Sequence, residues 1–382
     1  MGLVILGCLL AVGAYKLLRA MYFLRKAKRL NARTAELQTE VDAIRARTAA
    51  GEAAAAAEVV GLGFVAAEDI DTTRYLPVPA GESAVLDAVR AGDWQAGADW
   101  IAAAGQVWEE RHHRAGVLCE AAAEDDAWLL AWRAARPADP TAALVHAAAE
   151  VAVAWNLRGS LAGRHTTREQ FALFHKALLG AREAAHEAQR LADPADPVPY
   201  VNELPVARGL GYPSEAFGQL WAEVVERGPK MQGAWSGALQ YWCAKWHGSH
   251  ERAEEFGREA AARGEPGDLL SLVLLRAHFE HENHEADLDP DVYYKRPEIV
   301  AAATAALADV AAAADPADRR VVRLRHMLAW VLYWQDRYEE TVEQFRHIDG
   351  HCGIEPWIYQ GRPKTVFLKT RDYSVRRVTR QD

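Results

Sequence analysis

The chain has 382 residues, of which 50% are hydrophobic and 25% are charged. This composition excludes a disordered tail, a collagen-like fibre and a disulfide-stapled mini-protein, and the length allows two domains or one elongated array. Residues 1–35 contain seven Lys or Arg and no Asp or Glu, so the remainder, with 37 basic and 53 acidic groups, has a net charge near −16. Such an acidic remainder would repel a phosphate backbone, which argues against nucleic-acid binding.

Residues 1–24 predict a transmembrane anchor. Residues 2–15 are apolar or small without a break, and the span 2–24 would measure about 34 Å as an α-helix, enough to cross a lipid bilayer. Lys16 and Arg19 precede a basic cluster at residues 25–29, so their side chains can extend to the headgroups. The positive-inside rule then predicts an outer N-terminus and a cytoplasmic C-terminal part in the cell membrane. The alternative is a buried N-terminal helix of a soluble domain.

Residues 25–58 predict one basic helix that continues from the anchor, because they contain no Pro and a single Gly. Leu30, Leu37 and Ile44 are seven residues apart, which is typical of a short coiled coil. This helix could form a homodimer or a single stalk. Glycines and prolines between residues 59 and 82 then predict a linker.

From residue 83 to 350 the pattern predicts helices of 12 to 18 residues, separated by breaks at residues 137–140, 194–197, 228–229, 265–267 and 315–316. Alternating β-branched runs are missing, so the predicted fold class is all-α. Residues 351–382 differ, because the stretch 365–378 is basic and rich in β-branched residues. We expect a short strand or an extended tail there.

Two resemblances extend this interpretation. The stretch 328–345 resembles a tetratricopeptide repeat, with Tyr338, Thr341 and Phe345 near the positions of that family's aromatic, small and closing apolar residues, although Asp336 replaces the usual turn glycine. Residues 85–285 resemble a bacterial family of unknown function through the segments 154–160, 196–200, 207–211 and 245–249. The resemblances imply an α-solenoid of helix hairpins and bring no established activity with them.

Cationic residues beside glycine-containing turns are the candidate partner-binding site. Arg158, Arg208 and Lys245 each stand next to such a turn, and Trp242 and Trp246 flank Lys245. In a helical-repeat array these residues could line a concave face and bind a carboxylate of a partner. The alternative is that the cations cap helix C-termini. The tryptophans, thirteen in all, could form an aromatic groove or fill gaps between Ala-rich helices, and we favour the core.

A histidine-rich stretch is the candidate metal site. His278, His281 and Glu282 could contribute to one ion, with His284 and Glu285 following. Spacings of three and six residues let His278 and His281 share a helix face, whereas His284 turns away from it. A solvated helix end is the alternative.

The sequence contains no catalytic motif and predicts no cofactor. The first hypothesis is a membrane-anchored, cytoplasm-facing helical-repeat scaffold that binds a protein or peptide partner and performs no catalysis. The rival hypothesis is a membrane-associated metal-binding protein or metalloenzyme that uses the cluster at residues 278–284. A third is a structural stalk that acts by self-association.

Overall fold

The computed structural model describes residues 2–159 and 167–380, except for the side chains of residues 2–12, 29, 32 and 49. Within these residues the chain forms seventeen α-helices and two short 3-10 helices, with one isolated β-bridge and no strand. The predicted all-α class is therefore confirmed. The chain divides into two compact units, Met1–Glu68 and Asp69–Asp382, and the second unit is called the body below.

The first unit consists mainly of α1, a continuous helix of 60 residues from Gly2 to Gly61. Its predicted heptad residues Leu30, Leu37 and Ile44 are 62%, 50% and 61% exposed. No helix among the described residues has both the length and the apolar character that a membrane crossing requires. Most of the apolar run behind the predicted anchor lies at residues 2–12, whose side chains are outside the description.

The body contains the remaining helices. They are α2 (Ala80–Arg90), α3 (Trp94–Ala102), α4 (Trp108–Glu124), α5 (Ala127–Ala135), α6 (Pro140–Arg158), α7 (Arg168–Leu191), α8 (Val198–Leu210), α9 (Ser214–Arg227), α10 (Gln232–Trp242), α11 (His250–Arg263), α12 (Ser271–His284), α13 (Pro290–Tyr293), α14 (Pro297–Ala312), α15 (Arg319–Trp334), α16 (Tyr338–Ile348) and α17 (Pro363–Thr379). The two 3-10 helices are Ala67–Asp69 and Trp357–Tyr359.

Helices that follow each other in sequence pack together in the body. The pairs α6/α7, α8/α9, α11/α12 and α15/α16 are in contact, and α8, α10 and α12 contact one another in succession. Each predicted break falls at a junction between helices and contains proline, which cannot donate to the helical hydrogen-bond ladder. N-cap side chains begin several of the helices. Ser249, for example, caps α11 by accepting a hydrogen bond of 3.2 Å from the Arg252 amide. Prolines and N-capping residues in the sequence therefore set the helix boundaries.

The core contains regions packed with alanine and regions packed with large aromatic residues. Alanines of α6 and α7, including Ala147 and Ala185, pack against each other and let these two helices approach closely. Elsewhere aromatic rings fill the volume: Trp132 is fully buried and stacks on Trp94 at 5.7 Å between ring centroids. Trp330 is only 4% exposed. The predicted core role of the tryptophans agrees with these positions.

Two segments differ from the expected local structure. Residues 69–79, expected in the linker, are held by the body, where Asp71 pairs with His351 in the isolated bridge. The C-terminal segment forms α17 instead of a strand or an extended tail. Arg371 of α17 is 1% exposed at its side chain and pairs with Asp349 and Asp372 at 2.8 Å each. Burial of one face of α17 in the body accompanies a helix that β-propensity alone disfavours.

Candidate functional site

Two of the predicted cations meet two tryptophans in the body, in a group that we call the arginine–tryptophan cluster: Trp155, Arg158, Arg208 and Trp246. The Arg208 Cζ lies 4.3 Å from the Trp155 ring centroid and 5.0 Å from that of Trp246. The Arg158 Cζ lies 5.5 Å and 5.0 Å from the same two rings. The indoles are edge to face, with centroids 5.5 Å apart. Each guanidinium is therefore within cation–π distance of both rings.

The C-terminal ends of α6 and α8 and the turn at residues 243–248 position this cluster. A Cβ at Gly209 would lie 2.4 Å from a Leu178 methyl group, so glycine lets α8 approach α7 closely. Gly211 ends α8 in the left-handed conformation with φ of 69°. The His247 Nε2 donates a hydrogen bond of 2.8 Å to the Arg208 carbonyl, which ties the turn to the end of α8.

The guanidinium groups of the cluster have unused donors. The Nε atoms of Arg158 and Arg208 are buried without a hydrogen-bond partner among the described residues. Neither side chain forms an ion pair with a described carboxylate; Arg158 donates only to the Gly159 carbonyl at 3.3 Å. Burial lowers the pKa of Arg208 to about 10 and also lowers the pKa of Arg158. Both remain protonated at neutral pH, so the cluster presents two cations that can bind an anion.

Lys245, the third predicted cation, has a different role. Its Nζ lies 2.6 Å from the Glu280 Oε2, and the Glu280 side chain is 6% exposed. The same carboxylate accepts hydrogen bonds from the Gln240 Nε2 at 2.8 Å and from the Tyr359 hydroxyl at 3.4 Å. Lys245 therefore neutralises a buried carboxylate inside the body.

Trp242 also lies apart from the cluster. Its ring packs edge to face on Phe217 and Tyr241, at 5.6 Å and 5.0 Å between centroids. Trp242 ends α10, whereas Trp246 lies in the turn beyond it, so the two rings do not share a helix face. Trp155 was missed in the prediction, although it precedes Arg158 by three residues and shares its helix face.

The three predicted metal ligands do not converge, although His278 and His281 both face Glu254, whose Oε1 lies 3.7 Å from the His278 Nδ1. The His278 Nδ1 lies 3.2 Å from the Tyr293 hydroxyl, and the His281 Nδ1 lies 2.9 Å from the Glu254 Oε1. Glu282 accepts a hydrogen bond of 3.4 Å from Tyr294 instead. Burial lowers the pKa of His278 to about 4, which keeps its imidazole neutral. The structure does not bring His278, His281 and Glu282 to one point.

A different set of ligand atoms does converge at this end of α12. The potential ligand atoms of His250, His284 and Glu285 all lie within 4.8 Å of one another. The Glu285 Oε1 is 2.9 Å from the His250 Nε2 and 3.5 Å from the His284 Nδ1. Hydrogen bonds from both histidines lower the pKa of Glu285, so the carboxylate is ionised at neutral pH. His250 was missed because α11 brings it from 34 residues away.

Comparisons with protein-family models, curated proteins and solved structures find no significant match to this chain. The functional interpretation therefore rests on the geometry of these sites.

Proposed function

We propose that the protein is a membrane-anchored, cytoplasm-facing helical-repeat scaffold that binds an acidic segment of a protein partner and performs no catalysis. The observation that best supports this proposal is the arginine–tryptophan cluster. There two guanidinium groups lie against indole rings and have no carboxylate partner among the described residues. Stacking on indoles fixes the plane of a guanidinium and leaves its N–H edge for a carboxylate. A helix-hairpin array would present such a site on an extended surface.

The charge of the chain supports an acidic partner at this position. Acidic residues outnumber basic ones by 53 to 44, so most of the surface disfavours an acidic peptide. A local pair of uncompensated guanidinium groups reverses that preference at one place. The resulting contrast favours binding at the cluster over nonspecific adsorption.

The anchor and the stalk complete the proposal. In it, residues 2–24 insert into the bilayer, and the basic residues that follow contact anionic headgroups of the inner leaflet. The exposed heptad residues Leu30, Leu37 and Ile44 suit a second copy of the same helix. Tethering would raise the effective concentration of the site near the membrane.

A peptide titration tests the binding site. Hexaglutamate added to the full-length protein should change tryptophan fluorescence saturably, whereas hexaglutamine should not. Arg158→Met and Arg208→Met should each weaken hexaglutamate binding at least tenfold, because a charge-assisted hydrogen bond contributes about 1.5–3 kcal/mol. Arg252→Met is the matched control, since Arg252 also lies over an indole, at 5.1 Å from the Trp242 centroid, but pairs with Glu255. Equal affinity in all three variants would reject the site.

Fractionation tests the anchor separately. The full-length protein should remain in the membrane pellet after a high-salt wash. A Leu9→Arg/Val12→Arg double variant should appear in the soluble fraction, because each arginine makes insertion unfavourable by about 2.5–3.5 kcal/mol. Release of the unaltered chain by salt alone would contradict insertion.

Metal binding is a second candidate function, favoured by the convergence of His250, His284 and Glu285. Zinc bonds of about 2.0–2.2 Å place neighbouring ligand atoms of a tetrahedral site roughly 3.3–3.5 Å apart. The observed distances of 2.9 Å and 3.5 Å from the Glu285 oxygen to the two imidazole nitrogens are close to that value. Three protein ligands would leave a fourth position for water, as in catalytic zinc sites.

Zinc titration by calorimetry, followed by metal analysis after dialysis, tests this candidate. One zinc ion per chain should bind, and His250→Ala or His284→Ala should abolish binding. His347→Ala is the control, because His347 also pairs with a glutamate on an exposed surface, at 3.1 Å from Glu343. Loss of zinc in His278→Ala or His281→Ala alone would instead favour the set predicted from sequence.

A further inference from the structure

A cavity of about 560 Å³ opens in the body, on different residues from both sites above. One wall is the segment 73–79, which we call the strap, and the other walls come from α4 and from the N-terminal ends of α2, α10 and α15. The strap is fixed, because the Arg74 carbonyl accepts a hydrogen bond of 2.8 Å from the Gly353 amide. The volume is within the range of small-molecule sites in proteins.

The helix ends make the cavity electropositive. Helix N-termini carry partial positive charge on free N–H groups, and α2 and α4 begin here without a side-chain cap. Three arginines of α15 add to this charge. Arg319 and Arg320 are already paired, with Glu110 and with Asp318 respectively. Arg323 forms no ion pair with a described carboxylate; its guanidinium lies 5.7 Å from the centroid of the strap residue Tyr75.

Two polar atoms at the cavity lack partners among the described residues. They are the buried Nε of Arg323 and the buried Nδ1 of His112. Buried donors and acceptors are rarely left without a partner in native proteins. A ligand that forms hydrogen bonds with these two atoms would supply the partners.

Three carboxylates line the cavity, those of Glu82, Glu109 and Glu120. Glu82 lies 3.0 Å from the His113 Nε2. Glu109 accepts a hydrogen bond of 3.1 Å from the Gly233 amide at the start of α10. Burial raises the pKa of Glu109. What distinguishes Arg323 is therefore its buried Nε donor, which has no partner among the described residues.

We propose that this cavity binds a small amphipathic monocarboxylate, with its carboxylate on Arg323 and His112 and its apolar part along the strap residues Leu76, Pro77 and Val78. A guanidinium with an available N–H donor suits a planar carboxylate. The apolar strap gives affinity to a hydrocarbon or aromatic portion, which inorganic phosphate lacks.

Calorimetry with 3-phenylpropanoate on the full-length protein tests the proposal. This probe should bind at one site per chain, whereas the neutral 3-phenylpropanamide and inorganic phosphate should bind at least tenfold more weakly. Arg323→Gln should weaken binding of the probe at least tenfold, and His112→Gln should weaken it severalfold. Arg263→Gln is the control, because Arg263 also lies over an aromatic ring, at 5.6 Å from the Trp235 centroid, and does not line the cavity.

Three results would overturn the proposal: equal binding of the amide, equal or tighter binding of phosphate, or unchanged binding in Arg323→Gln. Arg323→Lys, which retains the positive charge, guards against a folding defect and should bind the probe more tightly than Arg323→Gln. Thermal melts of each variant show whether the body remains folded.

Discussion

The ion pair between Lys245 and Glu280 gives the sharpest test of the packing beneath the arginine–tryptophan cluster. The Lys245 Nζ and the Glu280 Oε2 are 2.6 Å apart, and the two side chains are 28% and 6% exposed. Removing one partner of a buried pair costs about 3–5 kcal/mol, because the other charge is left without compensation. Since Glu280 keeps hydrogen bonds from Gln240 and Tyr359, we expect the lower end of that range for Lys245→Met, about 3 kcal/mol.

A double-mutant cycle isolates the interaction. Lys245→Met, Glu280→Gln and the double variant are unfolded in urea while tryptophan fluorescence is followed, and the expected coupling free energy is about 2 kcal/mol. The control cycle uses Arg252 and Glu255, which are 3.3 Å apart with side chains 58% and 66% exposed. Exposed pairs of this kind couple by about 0.2–1 kcal/mol. A Lys245–Glu280 coupling no larger than that of the control would refute the assignment of Lys245 as the cation that neutralises buried Glu280.

Three further predictions concern the fold. Gly209→Ala should destabilise the body by about 1–3 kcal/mol through overpacking against α7. Gly218→Ala, at an α9 position where a Cβ would have nothing within 4 Å, should stabilise it by up to about 1 kcal/mol. Urea unfolding compares the two variants, and a loss of stability in both would contradict the overpacking argument. His326 accepts a hydrogen bond of 2.9 Å from the Trp357 indole, and burial lowers its pKa to about 4. Because the unfolded pKa is about 6.5, the contribution of neutral His326 to stability is fully present above that pH and decreases as the pH falls toward 4. Thermal melts between these pH values should show a flatter profile for His326→Gln, and an unchanged profile would count against burial. Arg371→Met should destabilise the body by about 3 kcal/mol, because two partly buried aspartates lose their cation. Limited proteolysis checks this, and if α17 resists the protease equally in the variant, the helix does not depend on Arg371.

The fold class could be predicted because local signals decide it. Proline breaks, N-cap residues and the absence of alternating β-branched runs all act over a few residues, and the helices begin and end at those signals. The segment 365–378 shows where such reasoning fails. Its β-branched residues favour a strand locally, but the burial of Arg371 against Asp349 is a contact across 22 residues that no local pattern contains. Tertiary contacts override propensity here.

The candidate sites were predictable only in part for a related reason. Arg158 and Arg208 lie in the last turns of their helices and Trp246 lies in the turn after α10, and the glycines beside them mark those helix ends. Lys245 carries the same marker but lies 2.6 Å from Glu280, whose position 35 residues away gives no hint of the contact. His250 likewise joins Glu285 only because α11 and α12 pack as a pair. Residue type and turn context therefore identify candidates, whereas helix packing decides which of them converge.

Unpaired arginines are unexpected in a chain with this charge balance. Carboxylates outnumber cations by 53 to 44, so the supply of anionic partners is not limiting. Yet Arg158, Arg208 and Arg323 each have a buried Nε without a partner among the described residues, and each guanidinium lies near an aromatic ring. Aromatic contact stabilises an arginine while leaving its donors available, which a protein carboxylate would not do.

An arginine held against an aromatic ring is thus the common element of the two proposed anion sites, and the independence of the two sites can be tested. Arg323→Gln should leave hexaglutamate binding unchanged, and Arg208→Met should leave 3-phenylpropanoate binding unchanged. A change of more than about threefold in either affinity would mean that one anion site, rather than two, binds both ligands.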